Sequence, residues 1–428
     1  MFKRIIHFIL FICRIVEELE SNQYYGLRSD QCTLLPQIEV PAVTDKKGTL
    51  ALNADGHLIM KPHGHGDIHT LLFQYGLPQK WINVYRKRHV IFMQDTNILA
   101  VYGFATLLGL STINHLDFTS LGIVRKPGEK VGSICRLQSK EGRSLTCNVE
   151  YCDFEKLLLA LTGKGDEPNE NGNSDYPGNI NVLYANLSSY WTTLSNTQGI
   201  VPEFINPKYA DAECTVFQTP ARLECMMQDL PRVMPSKARV GYCSLPRWAC
   251  FSPVKRDPVS ALVEAAKTGY GESFYSMEED YYKLFRRVLR LGNCVIDWNW
   301  DGYEEGELCQ SNQSNQSNQS NQPNQPNQEW REEETTQADG IPSTPIILLS
   351  PQSSLTLSDM QQHFTNSLHL SKRSILYLDG ANIFLENVHI DGTVIIRACA
   401  GASVYLKNKC ITNEGWEMKR KENGILRR

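Results

Sequence analysis

Three histidines and two glycines crowd into His63-Gly64-His65-Gly66-Asp67-Ile68-His69, the stretch of this 428-residue chain best suited to chemistry. Gly64 and Gly66 let a ligand come close to the backbone. A helix is expected to open at Asp67, and its free amides can face a phosphate or the edge of a base. His65 and His69 stand four apart, the spacing of a zinc pair on one helix face. No further Cys or His at ligand spacing completes such a site, and glycines would sit poorly in the helix it needs. Metal-binding histidines are therefore not expected.

The elements that must position these residues can be read around them. Asp67-Ile-His-Thr-Leu-Leu72 begins the helix. Val90-Ile-Phe-Met93 reads as a buried strand that enters from the basic Arg86-Lys-Arg88 and ends at Gln94-Asp95-Thr96-Asn97. Ala238-Arg-Val-Gly-Tyr-Cys243 is another. From about Asn22 to Trp300 short apolar runs alternate with helical patterns, which favours an α/β core with functional loops at strand ends. Between Glu304 and Asp339 the chain turns into Ser-Asn-Gln and Pro-Asn-Gln units followed by Glu332-Glu-Glu334. Such a tract cannot bury surface, so a disordered insertion is expected. Beyond it Leu355–Met360 starts a short helix, and Ser374–Gly380, Ile383–Gly392, Val394–Ile396 and Ser403–Leu406 repeat a strand-then-turn pattern. That repeat suggests a compact β-helix or a small sandwich. The expected domains are a core over 14–303, the insertion over 304–340 and a β domain over 341–428.

Composition narrows the function classes. A formal net charge of -4 gives no reason to expect nucleic acid or an anionic membrane as partner. The 13 cysteines are an odd number without a Cys-x-x-Cys pair, which argues against a disulfide framework and a zinc ribbon and suits a reducing compartment. The apolar run Ile5–Cys13 lacks a small-x-small cleavage site and is too short to span a bilayer. It is read as a buried strand or a wrongly assigned first exon, and the protein as cytoplasmic.

Seven ordered motifs carry a resemblance. Lys61–His69, Phe92–Asn97, Asn148-Val-Glu-Tyr151, Pro177-Gly-Asn-Ile-Asn181, Glu203–Tyr209, Arg222-Leu-Glu-Cys-Met-Met-Gln-Asp229 and Ser252-Pro-Val-Lys255 occur in the order found in UDP-sugar pyrophosphorylases, and the chain resembles that family from about Arg14 to about Trp416. The resemblance implies a Rossmann-like nucleotidyltransferase core, a C-terminal β-helix-like domain and the reaction of UTP with a sugar 1-phosphate to give a UDP-sugar and pyrophosphate. It matches Gln37 to a glutamine reading the uracil edge, with Gly64 beside the base, and His65 to a phosphate-contacting histidine. Asp95 falls near Mg²⁺ and the phosphates, as a carboxylate at a strand end can. Glu150, Asn179 and Asn181 match sugar-binding positions, and Phe251 lines the sugar pocket. Lys255 matches the lysine that bridges the two phosphates. A monomer is expected.

The sequence departs from the family in three places. No Gly-Gly-x-Gly-x-Arg loop is found, and the matching region starts inside the second strand of the core, so a truncated core is expected. Ile98 stands where relatives carry glycine, and Cys243–Phe251 is a loose version of the usual stretch. Two rivals remain. A UDP-glucose or UDP-N-acetylglucosamine pyrophosphorylase is opposed by Arg222–Asp229 and His63–His69. A nucleotide-sugar-binding protein without catalysis is favoured by the missing phosphate loop.

Overall fold

The computed structural model describes residues 4–7, 9–142, 144–205, 207–211, 216–268, 270–291, 295–296, 345–353, 357–416, 419–420 and 426–427. The expected insertion over 304–340 lies outside them. The chain divides into two compact units, residues 1–95 with 100–251 and residues 96–99 with 252–428.

The first unit is mixed α/β, built on a six-stranded sheet. Its axis is the nine-residue strand Gly178–Asn186, antiparallel to Phe118–Ile123 on one side and to His89–Phe92 and the start of Ser133–Gln138 on the other. Val240–Leu245 extends the sheet parallel to Phe118–Ile123, and Ser144–Val149 pairs antiparallel with Ser133–Gln138. Successive side chains of a strand point to opposite faces, and the two cores follow that alternation. Leu183 and Ala185 join Phe118, Leu72, Trp81 and Tyr190. Val182 and Tyr184 join Leu121, Ile123 and Leu107. Helices Asp67–Gln74, Leu77–Asn83 and Leu187–Thr197 supply the first cluster, and Phe104–Ile113 the second. Because both faces are covered, the middle of the central strand, Val182–Ala185, is buried on both sides and carries no charged or amide side chain.

Two local expectations are adjusted. The strand read as Val90–Met93 is His89–Phe92, and Met93 is exposed. The N-terminal run is not one strand: Arg4–His7 pairs in parallel with Cys32–Leu35, and Ile9–Ser21 is a helix. Ile12, Ile15, Val16 and Leu19 follow the 3.6-residue period, which the run shares with the charged residues after it.

In the second unit successive strands alternate between two all-parallel sheets. Phe364–Leu370, Ile383–Asp391 and Val404–Thr412 follow Val295–Ile296 in one; Ile346–Leu349, Ile375–Asp379 and Thr393–Arg397 form the other. Like residues stack from strand to strand: Phe384 on Tyr405 with ring centroids 4.6 Å apart, His369 on His389 at 4.1 Å, and Asn387 donating to Asn408 at 2.8 Å. The expected short helix runs over Leu357–His363. Among the described residues no helix is long and apolar enough to cross a membrane.

Candidate functional site

The loop at 63–66 is held from both sides by backbone. Strand Glu39–Pro41 pairs antiparallel with Met60–Pro62, and the His63 amide donates to the Ile38 carbonyl at 3.0 Å. On the other side the Cys225 amide donates to the His63 carbonyl, and the Gly66 amide to the Cys225 carbonyl. Strand Leu223–Cys225 reaches this place by pairing with Glu203–Ile205. A Cβ on Gly64 would run into the Cys225 carbonyl, and one on Gly66 would lie 2.8 Å from the Met226 nitrogen. These glycines therefore admit a neighbouring strand, where ligand approach was the expected reason.

That packing sets the side chains. Gln37 is buried and donates from Nε2 to the Gly64 carbonyl at 3.1 Å, while its Oε1 is buried with no partner among the described residues. His65 accepts at Nδ1 from the Met227 amide at 3.1 Å, so the neutral ring carries its proton on Nε2. His69 is fully buried between the Tyr190 hydroxyl, 2.7 Å from Nδ1, and the Met227 carbonyl, 2.9 Å from Nε2. The Met227 carbonyl can only accept, so Nε2 carries the proton and Tyr190 donates to Nδ1. Burial holds the His69 pKa down to about 4. Both His69 nitrogens are thus engaged in hydrogen bonds within the fold.

His63, Asp67 and Cys225 form a closer cluster, with donor atoms within 4.8 Å of one another. His63 Nδ1 lies 2.7 Å from Asp67 Oδ1, and the Cys225 thiol donates to the same oxygen at 3.5 Å. Burial first, then the Asp67 charge, pushes the Cys225 pKa far up, so the thiol keeps its proton. The trio is accounted for as a hydrogen-bonded clasp between the loop and Cys225.

Amides and a carboxylate gather a second time where Ser144–Val149 ends. Glu150 caps the helix Tyr151–Thr162 through its backbone, and its side chain makes no cap bond. Its Oε1 instead accepts from Asn148 Nδ2 at 2.6 Å and from Gln228 Nε2 at 3.4 Å. Asn179 donates from Nδ2 to Asn148 Oδ1 at 3.2 Å and to Asn181 Oδ1 at 3.1 Å. The register between Phe118–Ile123 and Gly178–Asn186 shifts here, and Asn181 sits at φ +55°. A bulge of this sort bends the strand and re-aims its side chains. Asp229, beside this group, is pushed up to about 6 by burial, against the pull of Arg232.

The remaining expected residues lie elsewhere. Asp95 is exposed just past the His89–Phe92 strand. Phe251 is buried in the cluster that holds Leu121 and Ile180, with the Arg247 guanidinium 5.0 Å from its ring centroid. Lys255 belongs to the second unit, half-exposed, with Nζ 3.3 Å from Glu272 Oε1. Its loop is anchored by buried groups: the Ser252 amide donates to Asn97 Oδ1, and Ser252 Oγ and Tyr270 Oη each donate to Asp280 Oδ2 at 2.8 Å. Sequence reasoning missed Gln228, Asn148, Tyr270 and Asp280. Gln228 and Asn148 stood inside motifs already singled out, whereas nothing local marks Tyr270 or Asp280.

No protein-family model matches the chain. Curated proteins do. A UDP-sugar pyrophosphorylase of Oryza sativa subsp. indica is 33% identical over 416 residues, 94% of this chain and 60% of the rice protein. The chain resembles UDP-sugar pyrophosphorylases. The UDP-sugar pyrophosphorylase of Arabidopsis thaliana is likewise 33% identical, over 95% of this chain and 61% of its own length. The chain thus spans about 60% of the curated UDP-sugar pyrophosphorylases it matches. A solved structure from Entamoeba histolytica, described as a UDP-N-acetylglucosamine pyrophosphorylase, shares the fold at TM-score 0.53 and 19% identity, covering 69% of this chain and 70% of that one.

Proposed function

We propose that this chain is a uridylyltransferase of the UDP-sugar pyrophosphorylase kind, forming UDP-sugars and pyrophosphate from UTP and sugar 1-phosphates over a broad monosaccharide range. The first unit is read as a Rossmann-like nucleotidyltransferase core and the alternating parallel sheets as a β-helix-like domain. The observation that carries the reading is Gln37. Its carboxamide is buried, oriented by one bond to Gly64, and left with one acceptor and one further N–H. Uracil presents an N–H beside a carbonyl, and that remaining pair complements it. This buried amide stands at the position that the family resemblance implies for a uracil-reading glutamine.

The chemistry follows from the residues. An oxygen of the sugar phosphate attacks the α-phosphorus of UTP, the bond to the β,γ-pyrophosphate breaks, and pyrophosphate leaves with the electron pair. Two polyanions must be brought together, so positioning and positive charge do most of the catalytic work. Lys255 supplies the cation between the phosphates, and a phosphate reaching it replaces Glu272 as its partner. His65, protonated on Nε2, donates to a phosphate oxygen. No general base is required, since the attacking oxygen is already ionised. Asp95 offers a single exposed carboxylate, which fits Mg²⁺, an ion that keeps several waters and takes other ligands from substrate phosphates. Bound there, Mg²⁺ would neutralise phosphate charge. Glu150, Asn179 and Asn181 hold the sugar hydroxyls.

Pyrophosphate release tests the reading, with UTP, Mg²⁺ and the 1-phosphates of glucose, galactose, xylose and glucuronate, on this chain and on Lys255→Ala. Activity is expected, with kcat falling about a hundredfold or more in the variant. Folded protein that releases no pyrophosphate with any sugar would overturn the transferase and leave a nucleotide-sugar binder.

A further inference from the structure

We propose that Gln228 determines which sugar the site accepts, acting as a hydroxyl reader paired with Glu150. This rests on the function proposed above. Gln228 is 3% exposed, deep for a primary amide. Its Nε2 lies 3.4 Å from Glu150 Oε1 and 3.1 Å from the Met226 sulfur. Its Oε1 is buried and has no partner among the described residues. A buried carbonyl oxygen left unpaired carries the desolvation penalty of a lost hydrogen bond. A ligand hydroxyl that donates to it would relieve that penalty.

The neighbours define what such a ligand must offer. The Glu150 carboxylate only accepts. Gln228 accepts through Oε1 and donates through Nε2. Asn148 and Asn179 are committed to one another and to Glu150 and Asn181. With both Nε2 hydrogens turned to Glu150 and the Met226 sulfur, the pair presents two acceptors side by side, the Glu150 carboxylate and Gln228 Oε1, a match for vicinal pyranose hydroxyls that donate. Its backbone is fixed: residues 227–232 form a short 3-10 turn in which Met227, Gln228, Asp229, Leu230 and Pro231 are all buried. A rigid amide distinguishes hydroxyl orientations better than a mobile one, because the wrong epimer leaves its oxygen unpaired.

Binding by calorimetry separates this inference from the reading beneath it. UDP, UDP-glucose, UDP-galactose and UDP-xylose are titrated into the chain and into Gln228→Met, which keeps the length and removes both polar atoms. The expected result is an unchanged UDP affinity, weaker binding of at least one UDP-hexose by about tenfold, and a changed glucose-to-galactose ratio. Gln228→Glu, which keeps an acceptor but sets a second negative charge beside Glu150, should weaken every UDP-sugar while leaving UDP unaffected. If UDP does not bind the wild-type chain, the proposed function itself fails and the inference with it. If UDP binds and Gln228→Met leaves every UDP-sugar within twofold, or weakens UDP equally, then Gln228 is structural and only this inference is overturned.

Discussion

At position 64 the backbone sits at φ +138°, and a Cβ would lie 2.8 Å from the Cys225 nitrogen and closer still to its carbonyl. Both facts oppose any side chain, the first by conformation and the second by collision with a backbone that is itself hydrogen-bonded to His63 and Gly66. Gly64→Ala should therefore cost stability by about 3 kcal/mol or more, which urea titration would measure. A loss below about 1 kcal/mol would mean that the loop and the Leu223–Cys225 strand are not packed in this way. The sequence pointed to Gly64 and Gly66 through ligand approach. The strand they admit comes from more than 150 positions away, Cys225 standing 162 residues after His63, and no local pattern reports a contact at that range. Gln37 was legible only through its motif context, because an isolated glutamine carries no sign of its burial.

Elements were easier to read than their contacts. The helix at Asp67 begins where it was placed, since a glycine turn followed by an apolar period is a strong local signal. Strand-then-turn repeats in the C-terminal part became parallel strands, and Gly380 and Gly392, after Asp379 and Asp391, take φ of +136° and +129°. What could not be read is the fastening of the Lys255 loop. Ser252, Tyr270 and Asp280 meet through a helix and a turn, with the Asp280 pKa raised by burial. Tyr270→Phe removes one of the two hydroxyl donors to a buried carboxylate and leaves that of Ser252. The cost should be about 1–2 kcal/mol in stability, with kcat for the proposed uridylyl transfer lowered several-fold as the loop loosens. Activity assays and melting curves on the same preparation check this. An unchanged kcat alongside a lowered melting temperature would confine the network to stability and remove it from the placement of Lys255.

Over the molecule as a whole, acid acts through buried histidines in both units. His69 in the first and His389 in the second are each held near pKa 4, by burial in both cases, with the stacked His369 adding to the effect at His389. An unfolded histidine titrates near 6.5, so between about 6.5 and 4 the unfolded chain binds protons that the folded chain refuses. Stability from these groups is therefore full above pH 7 and lost as pH falls through that window. Asp229 and Asp280 are raised above the carboxylate value of 3.8 and oppose part of this loss, because the folded chain takes up their protons first. The total slope mixes these terms, and a variant isolates one of them. His69→Gln keeps an acceptor for Tyr190 and a donor for Met227 but cannot titrate. Its unfolding free energy, followed by urea titration between pH 4.5 and 6.5, should fall less steeply than that of the wild type by close to one proton, about 1.4 kcal/mol per pH unit. Parallel slopes would mean that His69 is already protonated inside the fold, which the two hydrogen bonds that fix its neutral form do not allow.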